Sequence, residues 1–158
     1  FWTGVAQTRL DELSFSRLAG PQVLEMLQPH LDKGARVLDF GAGDGDFSGL
    51  LVERGYNVAV FEPSAGRRAN LQSKPFAAES NFLGFTDATD GQLFDTVLML
   101  EVIEHISDAD MPGVLQTIAG KLKPGGRLIV STPHQEDLEL AAAYCPVCDH
   151  TFHRWQHL

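Results

Sequence analysis

The segment Asp39-Phe-Gly41-Ala-Gly43-Asp-Gly45 constrains the fold more than any other stretch of the chain. Three glycines stand at alternate positions directly after the apolar run Arg36–Phe40 and directly before an amphipathic stretch that continues to about Arg54. A short, strongly apolar run reads as a buried strand, and glycines at its end let the backbone turn sharply and leave main-chain atoms open to close approach. Strand, glycine loop and helix in that order are the opening unit of a parallel α/β sheet.

The rest of the chain repeats the alternation. Asn57–Phe61 is a second buried-type strand, the stretch after Pro63 a helix, Asn81–Phe85 a weak third strand and Phe94–Leu100 a fourth. A helix over 108–122 ends near Lys123-Pro-Gly-Gly126, and Arg127–Ser131 forms a fifth strand. Leu13 to Leu31 carries helical spacing interrupted at Gly20-Pro21, where a new helix can begin, so residues 1–33 read as a helical preface. Glu136 to Tyr144 is expected to add one more helix. Right-handed crossovers then give a three-layer αβα, Rossmann-like, doubly wound, mostly parallel sheet of order 3-2-1-4-5, with ligand sites at the carboxyl ends of the strands.

A length of 158 residues, 44% hydrophobic and 21% charged, suits one globular domain spanning residues 1–158. Neither a bilayer-length apolar run nor a signal-peptide pattern is present, and the expected location is cytoplasmic, with no membrane partner. The opening at Phe1 and the end at Leu158 are expected to reflect trimming. With 21 acidic against 12 basic residues, the net charge of −9 works against phosphate-backbone binding, so nucleic acid is not the expected partner. Charge and composition leave the oligomeric state open.

The glycine loop lacks the spacing of a dinucleotide fingerprint, because Gly43 is followed by Gly45 and Asp46 rather than by a third glycine three places on. Asp39, just before the loop, would repel a pyrophosphate and attract an ammonium group. Glu62 ends the second strand 19 residues beyond Gly43, where a bidentate carboxylate can hold a ribose diol. Asp87-Ala88 follows the third strand on the same sheet edge, where an acid can accept from an adenine amino group.

Val37 through Gly45, Glu62, Phe94-Asp95, Glu101-Val-Ile-Glu104-His105, Leu122 through Arg127 and Ser131-Thr-Pro133 together resemble the successive motifs of class I S-adenosylmethionine-dependent methyltransferases over roughly two-thirds of the chain. The resemblance implies S-adenosylmethionine as cofactor, with Asp39, Phe40, Gly41, Ala42, Gly43 and Glu101 along its methionine side, Glu62 on its ribose and Asp87 with Ala88 at its adenine. It also implies later strands beyond these 158 residues. The implied reaction is methyl transfer to an oxygen, nitrogen or carbon of a small molecule. On the acceptor side His105, Glu101 and His134 are the candidate catalytic residues.

The Glu-x-x-Glu-His spacing resembles both the ubiquinone-biosynthesis type and the small-RNA 3′-terminal methyltransferases. The latter would use Glu101, Glu104 and His105, joined by His153 or His157, to hold a divalent metal for an RNA-end acceptor. Cys145-Pro-Val-Cys148 with His150 and His153 supplies a second donor set, suited to zinc, although four donors within nine residues strain a tetrahedral site. Residues 145–158, with Phe152, Trp155 and His157, can alternatively act as an aromatic lid over the acceptor. A module that binds the cofactor without transferring a methyl group is the alternative from a different class, and a nicotinamide-dependent dehydrogenase is disfavoured by the glycine spacing.

Overall fold

The computed structural model describes residues 18–134, 142–145 and 150–153. Its framework is a five-stranded, all-parallel sheet of order β3-β2-β1-β4-β5, formed by β1 (Arg36–Phe40), β2 (Asn57–Phe61), β3 (Phe82–Phe85), β4 (Phe94–Leu100) and β5 (Leu122–Ser131). The helices are α1 (Gly20–Leu27), α2 (Asp46–Glu53), α3 (Ala65–Gln72) and α4 (Met111–Lys121). The expected strand order and layering are thus observed. Among the described residues no helix is long and apolar enough to cross a membrane.

The pleat of the strands divides the core in two. Val37, Val58, Val60 and Leu98 face one side, where Leu24 and Leu27 of α1, Phe47 and Leu51 of α2 and Leu71 of α3 pack on them. Leu38, Ala59, Val97 and Met99 face the other side and meet Ile118 of α4. Continuous apolar strands are needed because both faces are covered. Each fully buried side chain of this kind contributes about 2 kcal/mol.

Local signals explain the boundaries. Pro21 lies in the first turn of α1, where its missing N–H is no loss. Ser64 accepts from the Arg67 N–H and caps α3. Asn81 precedes β3 and donates its side-chain amide to the carbonyls of Val52 and Tyr56, tying the third strand to the end of α2. Lys123 to Gly126 fall between two stretches of β5 pairing, Phe94 with Leu122 and Thr96 with Arg127, so the expected turn is a bulge inside one strand.

Two expectations are corrected. Ala142–Cys145 is a strand, β6, paired antiparallel with β7 (His150–His153), so the helix expected to reach Tyr144 does not include residues 142–144. The alanine-rich run favours a helix by propensity, but cross-strand pairing overrides so short a preference. The helix expected over 108–122 is confined to Met111–Lys121, with Leu122 already paired in β5.

Glycine is required at Gly45, the cap of α2, for two reasons. Its φ is +77°, and a Cβ there would lie 1.9 Å from Leu71 Cδ2. Gly34 has the same backbone angle, +76°, but open space around it. Gly45→Ala should therefore lower stability by about 3 kcal/mol or more and Gly34→Ala by only about 1 kcal/mol in urea denaturation, and equal losses would contradict the packing.

Candidate active site

The carboxyl ends of β1 and β2 lie side by side, with Phe40 opposite Phe61 in the register. Their rings stack at 4.4 Å with an interplanar angle of 13°. From there the glycine loop crosses toward β2: the Gly41 N–H donates to the Phe61 carbonyl at 2.7 Å and the Ala42 N–H to the same oxygen at 3.4 Å. A Cβ on Gly41 would strike Val102 at 2.7 Å, whereas one on Gly43 would meet only the Arg67 guanidinium, at 3.8 Å. Gly41 and Gly45 are thus needed for packing, whereas at Gly43 the backbone angle, φ +58°, is what favours glycine.

Glu62 is buried at the end of β2. Its Oε2 accepts the Gly43 N–H at 2.9 Å and its Oε1 the Ser64 N–H at 2.8 Å. Each carboxylate oxygen has two lone-pair directions, so a carboxylate fixed in this way can still accept from a diol.

Asp39 lies deeper. It is buried under the loop and accepts the Ser48 hydroxyl of α2 at 2.5 Å. Burial pushes its carboxyl up to about 6 from an ordinary 3.8; the negative Glu62 adds to the rise and the Ser48 hydroxyl opposes it. Ser48 carried no sequence signal as the partner of Asp39, because a serine in the first turn of a helix is commonplace.

A cavity of about 560 Å³ opens beside this loop, lined among others by Phe40, Gly41, Phe61, Pro63, Ala88 and Val102. Its far wall is Asp110 with Gly113, Val114 and Thr117 of α4. The volume suits a small organic ligand. Its position at the β1 crossover is where an open parallel sheet binds one. Phe61, Pro63, Val102 and the α4 residues were not legible as site residues, since their separate helix and strand patterns give no indication that they converge.

Asp87 is exposed on the loop after β3, where its Oδ1 accepts the Thr89 N–H and hydroxyl at 2.8 and 2.9 Å. These bonds hold its carboxyl below the ordinary range. Ala88, its neighbour, lines the cavity.

Glu101 follows β4 with φ +55°, a left-handed conformation uncommon for a side chain of this kind. Two bonds to the end of β5 hold it there: its N–H donates to the Ser131 carbonyl at 3.1 Å, and its Oε1 accepts the Ser131 hydroxyl at 2.7 Å. Such strain, of order 1–2 kcal/mol, persists where the surroundings over-determine it.

Ile103–His105 forms a single 3-10 turn that buries Glu104 and leaves His105 exposed. Tight winding aims neighbouring side chains apart. Glu104 and His105 therefore point apart, and among the described residues no group of three His, Cys, Asp or Glu side chains is disposed to hold a metal ion. His134 is exposed after β5. In the second donor set, the hairpin register sets Cys145 opposite His150 and Ala142 opposite His153. Cys148 lies outside the described residues, as do Trp155 and His157.

Because the folded-state pKa of Asp39 is raised, the folded protein binds that proton more tightly than the unfolded chain, and ionising the group weakens the fold as pH rises from 3.8 to about 6. Asp39→Asn should consequently melt a few degrees higher than the parent at pH 7.5, with the gain shrinking toward pH 4. An equal gain at both pH values would contradict the burial assigned to this carboxylate.

A family described as "Methyltransferase domain" matches residues 11–158. A ubiquinone biosynthesis O-methyltransferase of Caulobacter sp. (strain K31) is 36% identical over 121 residues, covering 70% of this chain and 46% of that protein. Another, from Dinoroseobacter shibae, is 29% identical over 140 residues, covering 85% of this chain and 55% of that protein. The chain thus spans about half the length of these curated relatives. Among solved structures, the glycopeptide N-methyltransferase MtfA complexed with S-adenosyl-L-homocysteine aligns with a TM-score of 0.65 at 20% identity, over 89% of this chain and 65% of that one. Coclaurine N-methyltransferase bound to N-methylheliamine and S-adenosylhomocysteine aligns at 0.58 with 19% identity, over 71% and 35%. At such identities the structures establish the shared fold. From the profile match and the identities to the O-methyltransferases, the chain belongs to the class I S-adenosylmethionine-dependent methyltransferase family.

Proposed function

We propose that this chain binds S-adenosylmethionine at the β1 crossover and transfers its methyl group to a small-molecule acceptor. The observation that carries the reading is the Glu62 carboxylate, clamped by the N–H groups of Gly43 and Ser64 between Phe61 and Pro63, two residues that line the cavity. Glu62 would hold the ribose diol, the Gly41–Gly43 backbone would lie along the methionine portion, and the loop carrying Asp87 and Ala88 would take the adenine. Phe40, Phe61, Pro63 and Val102 supply the apolar walls. Asp39, buried beneath the loop with its carboxyl raised by burial, favours a positively charged ligand.

Once bound, the cofactor supplies an electrophilic methyl on a sulfonium. What the chain contributes is orientation and exclusion of water, the principal requirements of an in-line displacement. Glu101, locked to Ser131 at the end of β4, supports a role on the methionine and acceptor side of the cleft. The exposed His105, one turn further on, is suited to take the proton from an acceptor hydroxyl. A hydroxyl acceptor is favoured by the O-methyltransferases among the relatives.

Incubation of the protein with methyl-labelled S-adenosylmethionine and a panel of small phenols and amines should give labelled product and S-adenosylhomocysteine. His105→Ala should cut kcat for a phenol by about 100-fold or more while leaving cofactor affinity intact. Tight cofactor binding with no transfer to any acceptor would mark a non-catalytic module, and unchanged turnover in the variant would remove His105 from the mechanism.

A further inference from the structure

The connection from β3 to β4, residues 86–93, contains no helix and is organised around one carboxylate. Asp90 Oδ2 accepts the Thr86 hydroxyl, the Asp87 N–H at 3.2 Å and the Gln92 side-chain amide at 3.1 Å. Its Oδ1 accepts the Gln92 N–H at 3.0 Å and pairs with Lys121 Nζ. Lys121 is the last residue of α4 and is 2% exposed; its ammonium also donates to the Thr86 hydroxyl at 3.0 Å.

This arrangement links two elements that line the cavity. Ala88 on the loop forms one wall, and Gly113, Val114 and Thr117 of α4 form the other. The Lys121–Asp90 pair therefore joins the C-terminal end of the helical wall to the loop wall. Burying an ammonium is costly, and apolar replacements of buried ion pairs are often neutral or stabilising, so stability alone is a weak reason for a lysine here. Fixing the geometry of the loop is a better one. Burial of the Asp90 carboxylate pushes its pKa upward, but the bonds from Lys121 and Thr86 outweigh that and keep it ionised, so the clamp is present throughout the neutral range.

We propose that Lys121 and Asp90 are positioning residues that hold the Asp87-Ala88 step against the cavity and thereby make the site select a 6-amino purine over a 6-oxo purine. The inference rests on the adenosyl reading above. Asp87 accepts hydrogen bonds, so it suits the amino group of adenine and opposes the oxo group of hypoxanthine. It can discriminate only if its backbone is held, and its N–H is bound to Asp90.

The test measures the affinities of S-adenosylhomocysteine and S-inosylhomocysteine for the parent protein, Lys121→Met and Asp90→Asn, with kcat at saturating cofactor. Asp90→Asn keeps the side-chain shape at the more exposed end of the pair and decides the matter if Lys121→Met does not fold. The parent should prefer the adenosyl compound. Both variants should lose roughly tenfold in affinity for it while retaining their affinity for the inosyl compound and a kcat within about twofold. A merely structural role would weaken both ligands equally. A preference that survives in the variants, or is absent in the parent, overturns the proposal while leaving the adenosyl site standing. A folded parent that binds neither ligand overturns the adenosyl reading itself.

Discussion

The 2.9 Å hydrogen bond from the Gly43 N–H to the Glu62 carboxylate is the interaction on which the site depends. It joins the loop after β1 to the end of β2, and the same carboxylate takes the first free N–H of the segment leading into α3. Glu62 is thereby fixed before any ligand arrives. A preorganised acceptor loses little freedom on binding, so more of each new hydrogen bond remains as affinity. The loop must be glycine at Gly41 and Gly45 to reach that position, because a side chain at either would run into Val102 or Leu71.

The sheet holds this arrangement in place. Parallel strands end together on one edge, so β1, β2 and β4 deliver Phe40, Glu62 and Glu101 to a common rim. Helices α1 to α3 cover one face, α4 covers the other, and α4 also closes the cavity. Two carboxylates are gathered at this rim: Asp39 and Glu62 are both buried, and the charge of Glu62 adds to the rise that burial imposes on Asp39. The bare fold therefore carries an electrostatic burden that a cationic ligand would relieve. Sites of this kind commonly sacrifice some stability for binding.

What was legible in the sequence was local. Strand runs buried on both faces, glycines directly after a strand and an acid at the end of the next strand are short-range patterns with one dominant structural solution, and the sheet order and the place of Glu62 beside the glycine loop follow from them. Convergence was not legible. The cavity wall on α4, the bond from Ser48 to Asp39 and the pair of Lys121 with Asp90 join residues far apart in the chain, and each partner taken alone is an ordinary surface-helix or loop residue. Glu101, Glu104 and His105 are close in sequence, yet among the described residues no three such side chains are grouped to hold a metal ion. The strand at Ala142–Cys145 was hidden because alanine favours a helix unless a partner strand intervenes.

The most direct measurement is a crystal structure of the chain grown with S-adenosylhomocysteine. The ribose hydroxyls should lie on Glu62, the adenine between Ala88 and the Val102 wall, and the homocysteine along Gly41 to Gly43. Nucleoside bound away from the β1 crossover, or a Glu62 carboxylate that contacts only Gly43 and Ser64 with the ligand in place, would contradict this placement.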